Sequence, residues 1–122
     1  MLAELSRDVL FGDVWDRPGL SKRDRSLITV ATLVARYRPL HMPSHMKLAL
    51  QNGITAEELG ELVPHLAFYA GWPNATTAAE VLVSVLDELD QSKGPPGRGR
   101  SLTTRSANSP RQDDSRACSV PF

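Results

Sequence analysis

Two histidines and a carboxylate punctuate the stretch from His45 to Trp72, HMKLALQNGITAEELGELVPHLAFYAGW, at spacings that suit acid/base chemistry. His45 with Ala49, and Glu61 with His65, are i,i+4 pairs that each share one face of a helix. The break Asn52-Gly53 between them permits the two helices to fold against each other, so His45, Glu61 and His65 are expected to converge. An imidazole titrates near working pH, and a neighbouring carboxylate orients its ring and tunes its pKa. His45 with Glu61 is therefore the leading catalytic pair, and His65 is read as pocket-lining.

Each residue also has a plainer reading. His45 alone fits a partly buried structural histidine, and Glu61 an exposed helix acid like Glu57 and Glu58. Glu58, Glu61 and His65 nevertheless follow i, i+3, i+7 along one stripe with Leu62 beside it. Phe68, Tyr69 and Trp72 fit core or subunit contact as well as substrate contact. His41, His45, Glu61 and His65 are ligand types for zinc or iron, but Pro43 sets the helix start after His41 and spoils the shared face. No metal is expected.

The elements that must position these groups read as helices. Ser21 with Asp24 forms a start, and Leu27, Val30, Ala31 and Val34 repeat at i, i+3, i+4, i+7 over a helix of about 22–37, stopped by Pro39. Pro43 and Asn52-Gly53 bound a helix of about 42–52. Thr55 with Glu58 is a capping-box pattern opening a helix to about Ala70, in which Pro64 predicts a kink that aims His65. After a break at Gly71-Trp72-Pro73, Val81, Leu82, Val85, Leu86 and Leu89 mark a last helix over about 74–90. No alternating strand pattern of useful length occurs, so the fold class is all-α.

Composition narrows the function classes. With 122 residues and 41% apolar content, the chain is expected to hold one domain, residues 1–91. Residues 92–122 are rich in Gly, Pro, Ser and Arg and are expected to be disordered. No apolar run reaches the roughly 18 residues of a membrane span, and MLAELSRDVL lacks a signal-peptide core, so a cytoplasmic protein is expected. The zero net charge divides into 8 Lys+Arg against 12 Asp+Glu in residues 1–91 and 6 against 2 in 92–122. Neither part offers a clustered basic surface for nucleic acid. Cys118 is the single cysteine, which excludes an intramolecular disulfide.

Over residues 4 to 90 the chain resembles the carboxymuconolactone decarboxylase family, through WDRPGLSKRDRSLITVATL (15–33), the phrase H-x-x-x-A-L-x-N-G-I-T-x-E-E from His45, and HLAFYAGWPNA (65–75). The resemblance implies a compact antiparallel helical bundle of the alkylhydroperoxidase D-like type, shortened at its front, and assembly into a homo-oligomer, a trimer or hexamer. It also implies a cofactor-independent lyase that decarboxylates a small carboxylated lactone in aromatic-compound breakdown. In such a lactone the electron pair released with carbon dioxide flows through the double bond into the carbonyl, so the protein must stabilise an oxyanion and supply a proton. Histidine at position 45 matches the family's functional histidine. Arg25 matches an arginine suited to clamp a carboxylate bidentately, the alternative being a salt bridge to Asp13, Asp16 or Asp24, while Lys22 and Arg23 read as solvated charges. Tyr69 and Trp72 join His65 as substrate-contact candidates. The sister group's Glu-x-x-Cys-x-x-His motif meets Pro39 and Met42 here, which leaves thiol peroxidase chemistry without a nucleophile. A non-catalytic oligomerisation module of the same family is the competing reading.

Overall fold

The computed structural model describes residues 1–94, and these are helical with no strand among them. A short helix α1 (Leu2–Leu5) runs directly into a π-helical turn, Ser6–Phe11, and a 3-10 turn, Val14–Asp16, follows. Four longer helices form the body: α2 (Lys22–Ala35), α3 (Met42–Gln51), α4 (Ala56–Ala70) and α5 (Trp72–Ser92). The expected disordered segment falls outside the described residues from position 95 onward, and Ser92 itself still belongs to α5.

The starts and stops have local causes. Ser21 accepts the Asp24 amide at 3.0 Å to open α2. Thr55 and Glu58 complete a reciprocal capping box, with the Glu58 amide donating to the Thr55 hydroxyl at 3.1 Å and the Thr55 amide to the Glu58 carboxylate at 2.9 Å. Two helices end in the same six-residue motif. At α3, Gly53 has φ 99°, its amide reaches the Leu50 carbonyl, and Ile54 donates to Ala49 at 3.0 Å while packing into the core. At α2 the equivalent bonds run from Tyr37 to Val34 and from Arg38 to Leu33, but the left-handed position, φ 52°, is held by Tyr37 rather than glycine.

The core gathers one stripe from each body helix: Val30 and Val34, Met42, Met46 and Ala49, Leu59, and Ala78, Leu82 and Val85. The order of packing decides the site. Helix α3 packs against α2 and α5, and α4 packs against α5 and α2, whereas α3 and α4 share no extended contact. The expected fold-back of α3 onto α4 across Asn52-Gly53 is thus corrected. After Gly53 the chain turns to place α4 beside α2, and Asn52 is drawn away by donating to buried Ser26 at 2.9 Å.

Helix α4 runs through Pro64 to Ala70 as expected, its apolar face held by α5, so the single missing hydrogen bond does not end it, whereas the start of α5 differs from expectation. Only Gly71, φ 103°, separates α4 from α5, because Trp72 and Pro73 occupy the first turn of α5, where a proline loses no helical bond. Asn74 then caps the other end of the bundle, donating to the carbonyls of Val34 and Ala35 at 3.0 and 3.1 Å and so tying α5 to the end of α2. The front of the chain, by contrast, buries nothing in α1 or the π turn, and Leu2, Leu5, Val9, Leu10 and Phe11 are exposed.

Candidate functional site

His45 lies on α3 among the core residues Met42, Met46 and Ala49, and is itself half-buried. Its Nδ1 is sealed from solvent and has no hydrogen-bond partner. Burial lowers its pKa below the ordinary 6.5, and the nearby His41 lowers it further. His45 is therefore held mainly neutral at pH 7, with one ring nitrogen withheld from water. His41 is the exposed N-cap of α3, one turn before His45, and its carbonyl accepts the His45 amide at 3.4 Å.

A separate groove of about 780 Å³ runs between α2 and α4. Leu27, Ile28 and Ala31 from α2 and Leu62 and Leu66 from α4 form its apolar lining. Glu57, Glu58 and Glu61 stand along it with Arg23 and His65, so the i, i+3, i+7 stripe of α4 does share one surface. That surface is open, and Glu61 is exposed rather than buried. Arg23 is ion-paired with Glu58 and loosely with Asp24 at 3.9 Å. The Thr55 amide, then Arg23, hold the Glu58 carboxyl below its ordinary pKa.

The structure thus brings Glu61 and His65 together and leaves His45 elsewhere. No hydrogen bond or ion pair joins His45 to Glu61 among the described residues, and His45 does not line the groove. The expected convergence fails because α3 and α4 are neighbours in sequence but not in packing. Nor do any three His, Cys, Asp or Glu residues among those described gather as a metal site.

Arg25 makes none of the expected salt bridges to Asp13, Asp16 or Asp24 among the described residues. Its Nη2 donates to the Arg17 carbonyl at 3.2 Å, its buried Nε has no partner, and Asp13 and Asp16 pair instead with Arg17 and Lys22. Arg23, read from sequence as a solvated charge, is the arginine that lines the groove; its i, i+4, i+8 relation to Leu27 and Ala31 was the available signal. The aromatic candidates do not enter the core. Tyr69, 80% exposed, stacks on His65 with ring centroids 4.8 Å apart, and Trp72, 66% exposed, meets Phe68 edge to face at 6.0 Å. They extend the His65 end of α4 as an exposed aromatic patch.

No helix among the described residues is long and apolar enough to cross a membrane. Residues 2–84 match the carboxymuconolactone decarboxylase family. The chain is similar to 4-carboxymuconolactone decarboxylase of Acinetobacter baylyi, 39% identical over 79 residues, which cover 65% of this chain and 59% of that protein. It is also similar to nitrosuccinic acid decarboxylase of Metarhizium robertsii, 34% identical over 86 residues, covering 70% of this chain and 60% of the relative. The chain spans about six tenths of the length of these relatives. With the all-helical bundle and the match over most of the described residues, this chain belongs to the carboxymuconolactone decarboxylase family.

Proposed function

We propose that the protein is a cofactor-independent decarboxylase of small carboxylates whose products carry their own electron sink, with His45 moving the proton. The observation that supports this reading is the environment of His45: a half-buried imidazole on a core helix, kept neutral, with a sealed nitrogen that nothing in the chain satisfies. Burying an unpaired ring nitrogen is costly for a residue with only a packing role.

The relatives' names, a carboxylated lactone and a nitro acid, share one chemical property. On loss of carbon dioxide the electron pair enters a lactone carbonyl through a double bond in the first case and a nitro group in the second. A proton must then return to carbon, and His45 delivers it from its protonated form, taking a proton from solvent before each turnover and returning to neutral imidazole. The reading of 4-carboxymuconolactone as substrate is supported by the name of the relative with 39% identity, and aromatic-compound breakdown in the cytoplasm is the setting proposed with it. Glu61 and Arg25 would assist as proton partner and anion clamp. Because neither is bonded to His45 within one chain, a homo-oligomer in which another copy brings these groups together is part of the proposal.

The groove is a poor place for such a substrate. Glu57 and Glu61 face it without ion partners among the described residues, and a dianionic lactone would be repelled there. His65, Tyr69 and Trp72 then act as substrate contacts only at the aromatic end of α4. Incubating purified protein with 4-carboxymuconolactone and, separately, with nitrosuccinate tests the activity. Carbon dioxide release from at least one is expected, and folded protein that releases it from neither contradicts the reading.

A further inference from the structure

The α2–α4 groove combines a floor of apolar side chains with an acidic rim, and its Ile28 is left 53% exposed. Arg23 is engaged by Glu58, so Glu57 and Glu61 remain as uncompensated charge at its edge. A second copy applying the same face would bring two acidic rims together. The surface fits a basic segment with an apolar anchor.

The chain carries such a segment. Residues 95–122 hold five arginines and two aspartates, a net charge of +3, and Arg98, Arg100 and Arg105 bracket Leu102 with no acid between them. Its point of departure is also suitable. Gly71 alone separates the tightly packed α4 and α5, so α5 returns toward the end of α4 that bears Glu57 and Glu58. With 21 residues against 15, α5 overshoots α4 by six residues, about 9 Å. The eight steps from Gly94 to Leu102 span up to about 28 Å when extended, enough to come back.

We propose that residues 98–105 of the same chain dock in the α2–α4 groove, with Leu102 against Ile28 and Leu62 and the arginines against Glu57 and Glu61. The docked segment covers Glu61 and His65 and leaves His45 uncovered, so Glu61 serves as a proton partner to another copy's His45 only when the segment is undocked. The inference does not depend on the decarboxylase reading, and its test reads contact rather than turnover.

A nitroxide on Ser101→Cys in a Cys118→Ser background of the full chain, read through methyl NMR, tests it. The methyls of Ile28, Leu62 and Leu66 are expected to lose most of their intensity, while those of exposed Val83 on α5 keep theirs. Raising salt to about 0.5 M, where the screening length falls to roughly 4 Å, should restore much of the groove signal. Arg98→Glu, Arg100→Glu and Arg105→Glu together should restore it fully. Groove methyls that keep their intensity, or a loss that survives the charge reversal, would overturn the proposal. So would a loss that transfers to isotope-labelled molecules mixed with unlabelled, spin-labelled ones, since that contact lies between chains.

Discussion

The face of α3 that carries His45 and the groove between α2 and α4 hold the same kinds of residue in opposite states. His45 is half-buried beside core methionines, with a nitrogen sealed and unsatisfied. Glu61 and His65 are exposed over an open apolar channel whose charge is acidic. Desolvation weakens the hold of the His45 imidazole on its proton, so a proton taken up there is readily passed on, whereas the exposed acids of the groove present negative charge at the surface. The buried region therefore suits proton transfer and the open one suits docking.

The largest expected effect breaks this division at its buried side. His45→Gln should lower decarboxylation by about 10²- to 10⁴-fold, the usual contribution of a positioned acid or base, with a helical circular dichroism spectrum retained. A core lesion next to it reads differently. Met46→Ala should cost about 2–5 kcal/mol of stability in denaturant melts, because Met46 is 1% exposed and its removal leaves a cavity.

The pH dependence sharpens the comparison. A cationic His45 that donates the proton is populated only below its lowered pKa, so the rate should fall as pH rises through an inflection below 6.5. Stability runs the other way. The unfolded chain binds the proton more readily, so stability contributed by neutral His45 is present above 6.5 and is lost as pH falls through the folded pKa. Glu58 follows the carboxylate rule in a lower window: its folded pKa is depressed, so its contribution is present above the ordinary 4.5 and lost as pH falls through the folded value. Acid melts of the wild type and of Glu58→Gln separate the two windows.

Smaller effects belong to the caps. Thr55→Ala removes one half of the capping box and should cost about 1 kcal/mol. Tyr37→Gly should stabilise by up to about 1 kcal/mol, since Tyr37 sits at a left-handed position that the matching turn after α3 gives to Gly53. Thermal melts check both.

Local signals were legible in the sequence wherever the physics is local. Ser21 with Asp24, Pro43, Gly53, and Thr55 with Glu58 each announced a boundary that the structure keeps, since capping involves only residues within one turn. The apolar stripe of α2 likewise became its core face through Val30 and Val34. The pairing of helices was not legible. Sequence adjacency suggested α3 against α4, but the partners were chosen by non-local contacts such as Asn52 with Ser26 and Asn74 with the end of α2. The same lack separated His45 from Glu61 and concealed Arg23, whose role depends on Glu58, 35 residues away.

The division between the two regions is tested most directly by measuring carbon dioxide release for His45→Gln and His65→Gln side by side, at saturating substrate and with both variants shown to be folded. The account predicts that the His45 variant loses turnover by orders of magnitude while the His65 variant stays near wild type. Loss of turnover in His65→Gln with His45→Gln unimpaired would place the chemistry in the groove and contradict it.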